Sequence, residues 1–302
     1  MSKLAVFIVT HDSAATLPAM LDSMPAGLAG IEQADVVVAD NVSRDGSAEI
    51  AEAHPTRPRV IRTGRDAGYA AGINAAAATV DRDADILVLN SDILLMPGSV
   101  RLLVERLKDP RVGVAAPRIL NKDKSEVASL RREPSIVTAW SDALLGETFG
   151  RRFGVGETVL DPRRYRSDGL VDWASGAALA VSARARSIVG DWDESFFLYS
   201  EEVDYQRRIR DAGLAIAYVA RSEIIHIGGD YQSNPKLYAL LTANRIRYFA
   251  RHHDPFSAAA FRLAVLSGEA LRSFRGSPVH RAGMSAAVRR WRPFQASQTS
   301  NA

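Results

Sequence analysis

Apolar positions along this chain fall in short β-branched runs separated by alanine-rich, helix-prone stretches. Leu4–Thr10 is followed by Ala14–Met24, Asp35–Asp40 by Ser47–His54, Arg59–Arg62 by Tyr69–Val80, and Ile86–Asn90 by Gly98–Lys108. Strand and helix alternating at this spacing predict right-handed crossovers and a parallel sheet covered on both faces. An open α/β sheet of this kind takes its ligands in the crevice beyond the carboxyl ends of the strands. The loops at those ends carry Thr10-His11-Asp12, Asp40-Asn41, Arg65 to Gly68, and Asn90-Ser91-Asp92.

The pattern changes after Pro117. Arg118–Leu130 reads as a hairpin around Asn121 to Lys124, Ser135–Leu145 as a short helix, and Gly146 to Gly169 as a long lid or acceptor loop. Asp172–Val181 returns to strand character. Glu201–Ala212 is a helix ended by Gly213, and Leu214–Val219 a further strand. Lys236–His252 and Phe256–Phe274 are helical, Arg281–Trp291 continues that theme, and 295–302 is expected to be disordered. The division expected is a nucleotide-binding half over 1–117, an acceptor and catalytic half over 118–253, and basic amphipathic helices over 254–294.

Composition narrows the class. The 302 residues are 47% hydrophobic and 24% charged, which suits a globular chain with a sizeable core and excludes disorder as the main state. The longest apolar stretches, such as Leu4 to Val9 and Ala177 to Val181, fall short of the roughly 18 residues of a spanning helix. With no secretory pattern at the start, the expected place is the cytosol. Cysteine is absent, so thiolate zinc sites and cysteine nucleophiles are excluded, and any metal must use oxygen or imidazole ligands. The net charge of +3 hides an asymmetry: from Arg245 onward there are ten Arg and no Lys against Asp254 and Glu269. Nothing there forms the aromatic and basic platform of a nucleic-acid binder. Phe256–Phe274 suits docking on anionic lipid at the inner face of the cell membrane. Packing on the catalytic domain, or on a second copy in a homodimer, is the plainer alternative.

Several of the crevice loops can carry chemistry. Asp92 closes the apolar strand Ile86 to Leu89, where one carboxylate suffices for Mg²⁺ or Mn²⁺ once diphosphate oxygens complete the shell. Taken alone, Asn90-Ser91-Asp92 is more simply a turn starter before Ile93 to Pro97, and only its neighbours favour the metal role. Asp40 ends Val36 to Ala39 and can accept a hydrogen bond from a nucleobase, while Asp45 and Ser47 read as turn and cap. In the run Arg65 to Asn74, Gly68 and Gly72 let backbone approach a nucleotide, and Arg65 can neutralise phosphate; tight helix packing explains the glycines as well. Trp173 followed by Ser175-Gly176-Ala177 makes a sugar-stacking wall or simple core. His226 precedes a Gly228-Gly229 turn and is either structural or a ligand to metal or phosphate.

The densest constellation is Phe196 to Arg208. Glu201, Glu202 and Asp204 open a helix whose dipole favours negative charge. Asp204 and Arg208 are four apart and share a face as an ion pair that holds the helix, leaving Glu202 or Glu201 for the crevice as a general base.

In their order, these residues resemble the family 2 glycosyltransferases of GT-A fold, in particular a bacterial rhamnosyltransferase-like branch. The resemblance runs from about Lys3 to about His253. It rests on Ile8 to His11, Asp40 to Ser47, Gly68 to Asn74, Leu89 to Asp92, Trp173 to Ala177, Gly190 to Phe197, Glu201 to Tyr205 and His226 to Gly229. It implies an α/β, Rossmann-like nucleotide-binding half with a mixed central sheet, plus C-terminal helices. Thr10, His11, Asp12, Asp40, Asn41, Arg65, Gly68, Asn74, Asn90, Ser91 and Asp92 would then bind the donor, and Trp173, Gly176 and Ala177 the acceptor or sugar. Asp92 and His226 would hold Mg²⁺ or Mn²⁺, and Glu202 or Glu201 would act as base, with Asp204 and Arg208 in support. Asn90 stands where the motif has its first acid, His11-Asp12 where Tyr-Asn is usual, and Glu202 where Asp is frequent. The activity implied is inverting transfer of a sugar, rhamnose for this branch, from a dTDP, UDP or GDP sugar to a glycan or polyprenyl-linked hydroxyl in cell-envelope or polysaccharide assembly. A nucleotide-sugar-binding protein without catalysis is the alternative from another class. A nucleotidyltransferase fits less well, because Thr10 to Ser13 lacks a glycine-rich basic loop.

Overall fold

The computed structural model describes residues 3–146, 153–228, 233–274 and 276–289. Its strands are β1 (Leu4–Thr10), β2 (Ala34–Asp40), β3 (Arg59–Arg62), β4 (Asp85–Asn90), β5 (Ile93–Leu95), β6 (Val112–Leu120), β7 (Leu130–Arg131), β8 (Gly169–Val171), β9 (Trp173–Ala174), β10 (Ala178–Val181) and β11 (Ala215–His226). Its helices are α1 (Leu17–Gly27), α2 (Ser47–Ala53), α3 (Tyr69–Ala77), α4 (Ser99–Leu107), α5 (Ile136–Leu144), α6 (Ala183–Val189), α7 (Glu201–Asp211), α8 (Pro235–His252), α9 (Pro255–Ser273) and α10 (Pro278–Val288).

Among the described residues nine strands form one mixed sheet in the order β3-β2-β1-β4-β10-β6-β11-β5, with β8 beside β11; β7 and β9 pair separately. β1 is buried at every position, as a strand covered on both faces must be. Leu17, Met20 and Leu21 of α1 and Leu103 of α4 cover one face. Ile73 of α3, Ala185 of α6 and Tyr205 and Ile209 of α7 cover the other. The parallel register sets Thr10 beside Asp40 and Val9 beside Asn90, so three expected ligand loops leave one edge of the sheet together. The sheet becomes mixed at β10, which runs antiparallel to β4 and β6.

The second half departs from the sequence pattern at several points. Of the expected hairpin at Arg118–Leu130, Arg118 to Leu120 form the end of β6, a long strand parallel to β11, and the return is no strand but a single bridge from Leu120 to Glu126 beside the turn at Asn121 to Ser125. The strand expected over Asp172–Val181 is broken at Ser175 to Ala177, so β9 leaves the main sheet to pair with β7. The break packs against α7: a Cβ on Gly176 would lie 3.0 Å from that of Glu202. β5 was not expected, and it lengthens β11 to His226 by pairing with it. Within the expected loop Gly146–Gly169, residues 147–152 lie outside the described set, and Pro162–Tyr165 forms a 3-10 turn.

Helices α5, α8 and α9 share an apolar cluster of Ala139, Phe249, Phe261 and Val265, and α10 packs on α8 and α9. The outward face of α9 is apolar rather than basic. Its Phe256, Leu263, Leu271 and the following Phe274 are exposed. Arg262 instead donates to the Ala287, Val288 and Arg289 carbonyls that end α10, and Arg272 donates to the Asp142 carbonyl. The tail 295–302, expected to be disordered, lies outside the described residues.

Candidate active site

A cleft of about 770 Å³ opens between the carboxyl edge of the sheet and the C-terminal helices. Asn90, Asp92, Trp173, Gly176, Ala177, Glu201, Glu202 and His226 all line it, so residues far apart in sequence converge there. A larger groove of about 1010 Å³ lies between α8, α9 and α10, but its lining is mainly alanine and other apolar residues with a few cations and no carboxylate. Convergence of ionisable groups, not volume, locates the chemistry.

The metal candidates meet through strand register. β11 pairs antiparallel with β5, placing His226 opposite Ile93, and the Ile227 amide donates to the Asp92 carbonyl at 2.9 Å. His226 Nε2 then lies 3.0 Å from Asp92 Oδ2. Gly228 crosses directly over this carboxylate, since a Cβ there would lie 2.4 Å from Asp92 Oδ2. Asp92 Oδ1 is buried with no hydrogen-bond partner. No group of three or more His, Asp or Glu forms a metal cage among the described residues. The donor set nevertheless fits Mg²⁺ or Mn²⁺ on a diphosphate, because one carboxylate and one imidazole suffice when ligand oxygens and water complete the shell.

Next to Asp92, α7 presents its acids. Glu201 is only 3% exposed, and its Oε2 has no partner. Burial, then the charge of Glu202, pushes the Glu201 carboxyl far up. Burial also raises Glu202, opposed in part by the positive charge of Arg131. Two adjacent buried carboxylates cannot both hold full charge cheaply, so each favours the protonated form of the other. Tyr69 joins them. Its hydroxyl is buried and unpartnered, and burial followed by the charges of Glu201, Asp92 and Glu202 raises its pKa.

Asp204 behaves as a structural acid. It accepts from Arg208 Nε at 2.8 Å and meets His252 Nε2 at 2.9 Å. Burial pushes its carboxyl up, but the hydrogen bond to His252 and the charge and hydrogen bond of Arg208 outweigh this and hold it low. Arg208 also donates to the Val189 and Asp191 carbonyls, tying α7 to the end of α6.

At the edge of the sheet, Thr10 Oγ1, Asp40 Oδ1 and Asn41 Oδ1 are buried without partners, as groups awaiting a ligand are. The other Asp40 oxygen accepts from the Ser43 amide at 3.2 Å. His11 and Asp12 hold loops: His11 Nδ1 lies 2.7 Å from the Asn41 carbonyl, and Asp12 Oδ1 accepts from the Arg44 amide at 2.7 Å. Ser91 Oγ donates to Ser13 Oγ at 2.8 Å.

Three further expected donor contacts are given other tasks. Arg65 is exposed and pairs with Glu194 at 3.3 Å, outside the cleft lining. The Asn74 amide is spent on the Trp192 backbone, donating at 2.9 Å and accepting at 3.0 Å, so it pins α3 to the loop before α7. Gly68, at φ +89°, serves packing: a Cβ would fall 2.0 Å from the Phe197 carbonyl oxygen, to which the Tyr69 amide donates at 2.7 Å. Trp173 is both wall and core. It lines the cleft, packs with Phe196, Val203 and Tyr248, and donates its indole N–H to the Arg132 carbonyl at 2.9 Å.

Sequence reasoning missed Tyr69, Arg131 and Asn244. Asn244 Nδ2 donates to the carbonyls of Phe196, Leu198 and Tyr199 at 2.7, 2.8 and 3.3 Å. Phe197, Tyr199 and Ser200 all have left-handed backbone, at φ of 66°, 69° and 73°, so this clamp fixes a strained turn that delivers Glu201 and Glu202. A polar residue within the apolar repeat of α8 was the available signal.

The model of the family described as glycosyl transferase family 2 matches residues 5–161. The chain is 29% identical over 283 residues to N-acetylglucosaminyl-diphospho-decaprenol L-rhamnosyltransferase of Mycobacterium tuberculosis, covering 89% of this chain and 91% of that one. It is 25% identical to the rhamnosyltransferase WbbL of Escherichia coli K12, over 53% of this chain and 60% of that one. Among solved structures, the mannosyltransferase PcManGT of Pyrobaculum calidifontis in complex with GDP-Man and Mn²⁺ superposes with a TM-score of 0.62 at 14% identity, covering 94% of this chain and 86% of that one.

Proposed function

From the premise that this chain belongs to glycosyl transferase family 2 and is a glycosyltransferase of GT-A fold, we propose that it catalyses inverting sugar transfer from a nucleoside-diphosphate sugar to a lipid-linked acceptor. The observation that carries this reading is the meeting of Asp92, His226, Tyr69, Glu201 and Glu202 around one cleft, with the Tyr69 hydroxyl, Asp92 Oδ1 and Glu201 Oε2 left without partners. Rhamnose from a dTDP, UDP or GDP sugar is the donor we assign, and a polyprenyl-diphosphate sugar the acceptor, since a relative covering most of the chain is named for that chemistry.

Thr10, Asp40 and Asn41 bind the nucleoside end, Asp40 through the carboxylate oxygen that lacks a partner. Asp92 and His226 would hold Mg²⁺ or Mn²⁺, and the chemistry it would supply there is neutralisation of the leaving diphosphate. Glu202 is the base. It packs on Gly176 at the acceptor wall, whereas Glu201 is more deeply buried and leads the charges acting on Tyr69. The acceptor hydroxyl gives its proton to the Glu202 carboxylate as its oxygen bonds to the anomeric carbon, and the bond from that carbon to the diphosphate oxygen breaks. A single displacement needs one base, and this inverts the anomeric centre.

We assign 1–117 to the donor half, 118–253 to the acceptor and catalytic half, and 254–294, with α9 and α10, to the segment that meets the membrane holding the acceptor. No helix among the described residues is long and apolar enough to cross a membrane. The exposed Phe256, Leu263, Leu271 and Phe274 support contact with its surface instead. Liposome sedimentation of the full chain against a Phe256→Ser, Phe274→Ser variant tests this; equal recovery, or a dimer held by the same face, refutes it.

The function is tested by a donor panel scored for thermal stabilisation with Mg²⁺ or Mn²⁺, followed by transfer assays of Glu202→Gln and Glu201→Gln. Donor binding with transfer abolished by Glu202→Gln is expected. Full transfer by both variants overturns the assignment of the base, and donor binding by the wild type without transfer to any acceptor leaves only a nucleotide-sugar-binding protein.

A further inference from the structure

Resting on the proposed lipid-linked acceptor, we propose that Arg131 is the acceptor's anion receptor: its guanidinium takes the diphosphate that joins the acceptor sugar to its lipid. Among the described residues five cationic or imidazole side chains line the cleft, and four are already committed. His226 meets Asp92. Arg245 pairs with Glu157 at 2.7 Å and Asp142 at 3.2 Å. Arg272 lies 3.7 Å from Glu269 and donates to the Asp142 carbonyl. His280 Nδ1 is 2.9 Å from Glu269. Arg131 alone has no carboxylate within ion-pair distance among the described residues. The charge of Glu202 acts on it only from beyond contact distance, so its N–H groups meet no carboxylate directly, and a bidentate oxyanion is the partner its planar fork fits best.

The local structure holds Arg131 ready. β7 pairs with β9 so that Arg131 stands opposite Trp173, and its guanidinium lies 5.7 Å from the centroid of that ring. One terminal nitrogen donates to the Ala128 carbonyl and, at 3.2 Å, to that of Leu130, which fixes the head group and leaves its other N–H groups for a ligand. Trp173 lies in β9 and Gly176 in the turn directly after it, and Gly176 packs on Glu202, so Arg131 lies on the acceptor side of the base. Asp92 and His226 lie on the donor side, where β4 and β11 end. The donor therefore has its own diphosphate site. An acceptor whose hydroxyl reaches Glu202 would carry its own diphosphate one sugar away, toward Arg131. Leu198, Leu237, Leu241 and Val279 continue the cleft wall with apolar surface suited to the first prenyl units.

The test separates acceptor recognition from catalysis. Binding of citronellyl diphosphate to the full chain is measured by calorimetry, alone and with dTDP present, for the wild type, Arg131→Met and Arg131→Lys; inorganic pyrophosphate and dTDP serve as separate ligands. Expected are a loss of about 10- to 100-fold in citronellyl diphosphate affinity for Arg131→Met, partial recovery in Arg131→Lys, and dTDP affinity within twofold of wild type. In transfer assays, the preference for N-acetylglucosaminyl-diphospho-citronellol over octyl N-acetylglucosaminide falls by a similar factor. Undiminished citronellyl diphosphate binding by Arg131→Met, no such binding by the wild type, or a parallel loss of dTDP binding overturns the inference. Tight binding of pyrophosphate with none of the prenyl ester assigns the site to a free anion instead and also overturns it. Absence of transfer by the wild type with every acceptor counts against the proposed function, while the binding measurements still decide the role of Arg131.

Discussion

His226 Nε2 lies 3.0 Å from Asp92 Oδ2 although 134 residues separate them in the chain. The antiparallel pairing of β11 with β5 makes the contact, and Gly228 keeps it open from above.

Gly228→Ala tests that arrangement directly. Its methyl would fall 2.4 Å from Asp92 Oδ2, so the carboxylate must turn away. Donor affinity in the presence of Mn²⁺ should fall by about 10- to 100-fold, the usual effect of disturbing groups that orient a metal ligand. Titration calorimetry with the donor measures it, and an unchanged affinity would refute the placement of the ion.

Glu202→Gln should lower kcat by about 10²- to 10⁴-fold with little change in donor affinity. The wild-type rate should fall on acidification through a pKa above the ordinary 4.5 of glutamate, because burial raises Glu202 and the base works only when ionised. Glu201, Tyr69, Asp92 and Arg131 all face this group, so the limb belongs to the coupled set. A pH profile of kcat/KM showing its acid limb at or below 4.5 would count against this.

Glu201→Gln should stabilise the fold at alkaline pH. The Glu201 carboxyl has its folded pKa raised above the unfolded value, so the folded state binds the extra proton and loses stability as pH rises from the ordinary value through the raised one. Removing the ionisable group removes that loss. Melting curves should place the variant roughly 2–4 °C above wild type at pH 8.5 and converge with it near pH 4.5.

Asp204 has the opposite sign. Its pKa is lowered in the fold, so the stability it contributes is present above the ordinary carboxylate value and disappears as pH falls through the depressed one. Asp204→Ala leaves Arg208 and His252 without their shared carboxylate and should cost about 3–5 kcal/mol in urea unfolding at pH 7. A loss below 1 kcal/mol, on the same scale, would mean the pair is only a surface contact.

Tyr69→Phe removes a buried hydroxyl that has no partner in the free protein. Thermal stability should hold or rise slightly, while kcat/KM falls about tenfold if the hydroxyl meets the donor. A lowered melting point with unchanged kinetics would make Tyr69 structural.

Much of the N-terminal half was legible because its signals are local. β1, β2 and β4 are continuous apolar runs ending in Thr10, Asp40 and Asn90, and parallel pairing then aligns those ends without further information. β5 was hidden because Ile93 to Leu95 is too short to stand out from the turn before it; its partner in β11 supplies the reason it is a strand. Arg65 and Asn74 sit in a motif that reads as ligand binding, yet their partners Glu194 and the Trp192 backbone come from a distant loop that no spacing rule reveals. Arg131 carries no motif, and only the commitment of every other cleft cation among the described residues singles it out.

The grip of Asn244 on the carbonyls of Phe196, Leu198 and Tyr199 has a bearing on how this enzyme can be re-engineered. Each left-handed non-glycine residue in that turn costs about 1–2 kcal/mol, so without α8 the turn would relax and carry Glu201 and Glu202 with it. A chain cut before Pro235 would keep the entire stretch matched to the family and still misplace its carboxylates. Chimeras that exchange the C-terminal helices to change acceptor choice should therefore carry an asparagine at the position of Asn244, or the graft will disarm the half it was meant to redirect.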